Sequence, residues 1–216
     1  MKQAYFLTGT DTGVGKTLIA TGLLHAARSS WDMRVLGMKP VVAGSPGDLE
    51  KLIAASNVEA PRNYINPYYL EEPVSPNIAA KGVGQTIDID HIKYCFDEVR
   101  GLADFVIVEG IGGFRAPLNE TQDISHLAKL LALPVILVVG LKLGCLSQTL
   151  LAIESIKARG LQLAGWVANQ VDPDMICVAE NVGTLKERVS EPLLGFIRYR
   201  ENAKGEDLIK HLAMPE

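Results

Sequence analysis

A β-prone apolar run, Ala4 to Thr8, leads directly into the glycine-bearing stretch "TGTDTGVGKT" and then into "LIATGLLHAA", where Leu18, Ile19, Leu23 and Leu24 recur at helical spacing. Strand, glycine loop and helix in that order constrain the chain strongly. A helix opening at Gly15 aims its unpaired N–H groups and positive dipole end at whatever lies beyond the strand, and that is an anion site. Gly13 and Gly15 let the backbone wrap close to it. The stretch nevertheless departs from the phosphate-loop pattern G-x-x-x-x-G-K-[ST]. Counting back from Gly15, Lys16 and Thr17 puts Thr10 at the first position, with Gly9 one residue early. The alternative is a plain strand-to-helix turn that happens to hold glycines. The flanking strand and helix favour the phosphate loop, with Lys16 reaching the β- and γ-phosphates and Thr17 offering a magnesium ligand.

Further β-prone runs follow at "RVLGM", "DFVIV", "PVILVV", "LAGWVA" and "LLGFI", most of them separated by amphipathic segments. This alternation predicts an α/β fold, a mostly parallel sheet with helices on both faces, in a single domain spanning residues 1–216. Helices are expected to start near Gly15, Gly47, Asp90, Asp123, Cys145, Asp174 and Gly205. One stretch breaks the rhythm: "NYINPYYLEEPVSPNIAA", residues 63–80, reads as a long irregular connection of the kind that forms lids or substrate walls.

A net charge of -4 and a pI near 5.6 argue against nucleic acid or an anionic membrane as a principal partner. Cys95, Cys145 and Cys177 are widely spaced and odd in number, which fits neither a disulfide framework nor a zinc site and points to a reducing cytoplasm. "LPVILVVG" is too short to cross a bilayer.

Ligands of open parallel sheets collect beyond the carboxyl ends of the strands, so the residues there are the candidates. Lys39 follows one strand directly, as a solvated lysine or as one placed to meet an anion. Asp48 falls in the first turn of a helix, where an acid is favoured whatever its function. Glu109 closes the buried run "VIVE", where magnesium bound to phosphates needs a hard oxygen ligand. Gly110, Gly112 and Gly113 then permit close backbone approach. Asn169, in "ANQV", could read a nucleobase edge or cap the turn.

"DTGVGKT" aligns without a gap to the "KGGVGKT" loop of partitioning ATPases and of ATP-dependent ligases related to them. From Tyr5 to about Ile197 the chain closely resembles the dethiobiotin synthetase family, through "YFLTGTDTGVGKT", "KPVVAG", "INPYYLEEPVSP", "VEGIGG", "LPVILVVGLKLGC" and "AGWVANQV". The resemblance implies a homodimeric ligase that closes a ureido ring from 7,8-diaminononanoate, carbon dioxide (bicarbonate) and ATP, with Mg2+. It implies Lys16 and Lys39 as the catalytic charges, Lys39 at the substrate carbamate, and Thr17, Asp48 and Glu109 at magnesium. Gly13, Val14, Gly15, Lys16, Thr17 and Leu18 would wrap the phosphates, with Gly110, Ile111 and Gly112 along the active-site wall. Asn169 and Gln170 would lie against the base, and Arg198, Tyr199 and Arg200 in a further nucleotide turn. Thr12, Lys39, Ala43 and Ser75 would meet the substrate, together with Leu146 and Ser147 on a helix reaching the partner subunit's site.

Departures from the family pattern fall at Gly13, where many members have glutamate, and at Ala43, where many have a hydroxyl. Asn77 replaces a common histidine, Ser147 a common asparagine, Arg198 a proline and Gln170 an acid. These bear on substrate affinity and base preference and leave the reaction core intact. The competing class is a regulatory ATPase of the partitioning or septum-placement type. Its distinguishing lysine would fall at Asp11, and its absence counts against that class.

Overall fold

The structure, a computed structural model, describes residues 3–215. In β1 (Gln3–Gly9), Tyr5 and Leu7 join one apolar cluster and Phe6 another, so consecutive side chains feed opposite faces of the sheet. The chain continues through α1 (Lys16–Trp31), β2 (Val35–Met38), β3 (Val41–Ala43), α2 (Gly47–Ala55), α3 (Arg62–Ile65), β4 (Tyr68–Leu70), α4 (Pro76–Gly82) and α5 (Ile89–Arg100). Then come β5 (Phe105–Glu109), α6 (Ile124–Leu131), β6 (Val135–Leu141), α7 (Cys145–Ala158), β7 (Leu163–Gln170), α8 (Val178–Arg188), β8 (Leu193–Ile197) and a 3-10 turn, Gly205–Leu208.

Six strands form one parallel sheet in the order β2-β5-β1-β6-β7-β8. Both faces are covered, which explains why the strands read as apolar runs and not as alternating ones. Phe105 and Ile107 of β5 face α1 with Leu23 and Leu24, while Val106 and Val108 face Phe96 of α5 and Leu127 of α6. The expected α/β architecture is therefore the observed one. Strand order reverses at β1, with β5 and β2 to one side and β6, β7 and β8 to the other. That reversal opens a crevice beyond the carboxyl end of β1, where the glycine loop lies.

Three local expectations need correction. Residues 63–80 are not an irregular connection: β4 and α4 lie within them, and β4 pairs in parallel with β3 as a separate two-stranded sheet. The helix expected near Asp174 starts at Val178, because Asp174 N–H closes a turn on Asp172 Oδ1 at 3.0 Å and Cys177 takes a left-handed conformation, φ 54°. At Gly205 there is one 3-10 turn and no α-helix. Among the described residues no helix is long and apolar enough to cross a membrane.

The helix after β5 is fixed by its first residue. Asp123 caps α6 by accepting from Ser125 N–H at 2.9 Å, and also accepts from Arg115 Nε at 2.7 Å. Burial by itself would raise its pKa, but the hydrogen bonds from Ser125 and Arg115, with His126 beside them, outweigh it and bring the value down to about 2. An acid depressed in the folded state stabilises fully above its ordinary value, and that stabilisation is lost as pH falls through the folded one. Asp123→Ala is expected to cost about 2 kcal/mol near neutral pH. The gap to wild type should close between about pH 4 and about pH 2. Urea denaturation across that range checks it, and a constant gap would count against the cap.

Candidate active site

The irregular spacing of the phosphate loop has a packing cause. A Cβ on Gly9 would sit 2.5 Å from Val14 Cγ2, so glycine is required one residue before the usual place. Thr10, which stands in that place, accepts a hydrogen bond from Gly140 N–H at 3.3 Å and so ties the loop to β6. Gly15 is the N-cap of α1 at φ 87°, in the left-handed region that glycine enters freely. Asn169 lies inside β7, not after it, and its Nδ2 donates to Val14 O at 2.9 Å. That contact braces the loop from β7. At the end of the same strand, Gln170 Oε1 accepts from Tyr199 N–H at 3.3 Å, joining β7 to the turn after β8.

Strand register assembles the charged centre. Met38 pairs with Val108 and Leu7 with Glu109, so Lys39 leaves β2 beside Glu109, and Glu109 stands beside the start of the loop. Lys39 Nζ lies 2.5 Å from Glu109 Oε1, and the two side chains are 4% and 0% exposed. Lys39 is therefore not a solvated lysine. Thr17 Oγ1 donates to the same carboxylate oxygen at 2.8 Å. Asp48, half-exposed in the first turn of α2, brings Oδ2 to 3.6 Å from Lys39 Nζ. Lys16 Nζ donates to Asp11 O at 2.9 Å. Burial lowers its pKa to about 8, with the charge of Lys39 adding to the effect and Glu109, Asp48 and Asp11 opposing it.

These groups open onto a cleft of about 760 Å³ lined by Thr12, Gly13, Gly15, Lys16, Thr17, Leu18, Lys39, Ala43, Asp48, Ser75, Glu109, Ile111 and Gly112. Residues from five separate segments are thus brought together. Lys51, Ser45 and Ala116 share the lining and were not anticipated, since an exposed lysine gives no periodic or motif signal in a sequence, while Pro73 and Val74 come from the stretch expected to form a substrate wall. Val14 is buried beneath the loop, and Gly110 packs on Phe6. Arg198 and Arg200 line a separate cavity of about 180 Å³ with Phe196 and His211, and Tyr199 is partly exposed. Leu146 and Ser147 lie on α7, outside the cleft. The structure also adds an ion pair that sequence reading missed. Lys142 Nζ meets Asp11 Oδ2 at 2.8 Å, and that hydrogen bond is the main reason the Asp11 carboxyl is held below its ordinary pKa.

A family model described as an AAA domain matches residues 3–207. The chain is 47% identical to the ATP-dependent dethiobiotin synthetase BioD of Aromatoleum aromaticum, over 99% of this chain and 98% of that protein. It is 47% identical to the protein of the same name from Nitrosospira multiformis, over 96% and 93% of the two chains. The chain belongs to the dethiobiotin synthetase family. This member also shares its fold with more distant proteins. A ParA family ATPase from Chlorobium tepidum superposes with a TM-score of 0.58 at 15% identity, over 98% of this chain and 91% of the other. The septum site-determining protein MinD from Pyrococcus horikoshii, described in complex with Mg-ADP, gives 0.58 at 17% identity, over 91% and 81%.

The donor set in this dethiobiotin synthetase relative fits a hard cation at the phosphate loop. Glu109 Oε2 is buried without a hydrogen-bond partner, while Oε1 already accepts from Thr17 and Lys39. Two carboxylates and a hydroxyl form an open set of the kind that suits magnesium, which keeps waters and phosphate oxygens among its ligands. Lys16 gives the site a measurable signature. Near pH 9, above its value of about 8, the lysine is largely neutral before nucleotide binds, and the phosphates favour the ammonium. Binding of ATP is expected to take up a proton there and to do so less at about pH 7. Calorimetry in buffers of different ionisation enthalpy reads the uptake directly. No uptake near pH 9, or an equal uptake in Lys16→Ala, would rule it out.

Proposed function

We propose that this protein makes dethiobiotin, closing the ureido ring of 7,8-diaminononanoate with carbon dioxide at the expense of ATP. What carries the reading is the juxtaposition of Lys16 on the phosphate loop with the buried Lys39–Glu109–Thr17 cluster in one cleft, in a chain of this family. One amine of the substrate adds to carbon dioxide and loses a proton, giving a carbamate. The carbamate oxygen takes the γ-phosphoryl group of ATP, releasing ADP and leaving a carbamic-phosphoric anhydride. The second amine then attacks the anhydride carbonyl, and phosphate departs as the ring closes.

Each step asks for clustered positive charge and fixed donors more than for an acid or base of unusual strength. Lys39 is held by Glu109 at the wall of the cleft and takes the carbamate. Lys16, with the N–H groups of the loop from Gly13 to Leu18, takes the phosphates. Thr17, Asp48 and Glu109 would hold magnesium, which when bound neutralises charge on the phosphates. Thr12, Ala43 and Ser75 line the substrate side. Asn169 and Gln170 edge the base, next to the turn of Arg198, Tyr199 and Arg200. The cleft is thereby divided into a nucleotide half and an amine half, with Glu109 between them.

The two lysines are therefore separable. Lys39→Ala is expected to leave ATP affinity within about threefold of wild type and to lower ring closure by at least about a hundredfold, the scale of a lost charge contact at the reacting group. Lys16→Ala should weaken both. Nucleotide titration beside steady-state assays of dethiobiotin decides the matter, and equal loss of nucleotide binding in the two variants would contradict the division.

The amine half is completed by a second subunit in this reading. Support comes from Leu143, almost fully exposed just before α7, and Leu151, largely exposed in the middle of that helix, which flank Leu146 and Ser147. The protein is expected to sediment as a homodimer without ATP. An active monomer at assay concentration would remove the partner helix from the mechanism.

A further inference from the structure

Lys39 is fixed at its ammonium by Glu109, but its backbone is fixed by a different residue. Asn66, buried at the end of α3, donates from Nδ2 to Lys39 O at 2.7 Å and to Tyr68 O at 3.1 Å. Its own N–H is tied to Arg62 O at 2.8 Å, and Lys39 N–H donates to Ile65 O at 3.0 Å. The lysine is thus gripped at both backbone polar groups by the segment around Asn66. The second bond of the amide has a separate destination. Tyr68 begins β4, which pairs with β3 and leads to Pro73, Val74, Ser75 and Pro76 along the cleft. Gly44, at the end of β3, packs against Pro73.

We propose that Asn66 is a positioning residue for the reaction: one amide sets the Lys39 turn against Glu109 and registers the strand that carries the Pro73–Pro76 wall, so it governs use of the diamine and not affinity for nucleotide. The inference rests on the reading of Lys39 given under Proposed function. Serine, alanine or aspartate cannot replace the group, since no one of them offers an amide that can donate to two carbonyls from this position. Nothing in the contacts of Asn66 touches the phosphate loop, so nucleotide binding should not register its loss.

Asn66→Ala is expected to keep the ATP dissociation constant within about twofold and to lower kcat/KM for diaminononanoate by about 10- to 100-fold, the loss typical of reacting groups displaced by about an ångström. In a Lys39→Ala background the same substitution should lower kcat/KM by clearly less than it does in wild type, because the share of its effect that acts through the lysine is already lost. Amide hydrogen exchange at Lys39 should quicken in Asn66→Ala. If that variant does not yield folded protein, Asn66→Ser, which keeps one donor, serves for the same measurements. Three results would overturn the proposal: unchanged kcat/KM for the diamine, nucleotide affinity falling in step with turnover, or fully multiplicative losses in the double variant. Wild-type ring closure by Lys39→Ala would instead remove the parent reading, and the exchange rate at Lys39 would still show whether Asn66 holds the turn.

Discussion

A lysine and a glutamate buried against each other at the ends of adjacent strands set the terms for everything around them. Removing two charges from water is expensive, and breaking such a pair by deleting one member typically costs about 3 to 5 kcal/mol. Lys39 and Glu109 are accepted here because the sheet register brings them together and Thr17 adds a hydrogen bond to the same oxygen. A pair of similar volume made of apolar residues would give equal or better stability. The charges are there for the cleft. Glu109 cannot move without unpairing Lys39, so the geometry facing a substrate is settled before one arrives, which is the condition for electrostatic catalysis.

The phosphate loop is held by the same strategy of borrowing from neighbours. Among its hydrogen bonds to the body of the protein are those from Gly140 on β6, from Asn169 on β7 and from Thr10 N–H to Val138 O, and Val14 fills the space that a side chain on Gly9 would need. That leaves the N–H groups at the start of α1 for an anion. Lys16, meanwhile, sits on a carbonyl of the loop itself, with its charge made costly by burial and by Lys39. An anion beside the loop would favour the charged lysine that burial disfavours.

What could be read from the sequence was whatever announces itself locally. The strand, loop and helix at residues 4–27 share one continuous pattern, and Glu109 closes an uninterrupted apolar run. Residues whose meaning depends on a partner far along the chain were opaque. Asn169 did not reveal its contact because its partner, Val14, lies 155 residues away in sequence. Lys142 carried no signal because Asp11 defines it. β3 and β4, three residues each, are too short for alternation to appear, so the small sheet beside Lys39 was taken for loop. Cys177 ended the expectation of a helix from Asp174 by adopting a left-handed conformation that no composition rule anticipates for cysteine.

Asp11 sets how charge is distributed around the phosphate loop. A "KGGVGKT" loop sets a lysine where this chain has Asp11. A lysine there adds positive charge beside bound phosphates. Asp11 instead draws Lys142 onto itself and caps the Thr12 N–H at 2.8 Å, so the outer edge of the loop is neutralised within the chain. Lys16 and Lys39 lie on the inner wall of the cleft, away from that pair. The pairing of Lys142 with Asp11 thus leaves Lys16 and Lys39 as the buried cations of the cleft wall, and it does so without altering any element of the fold.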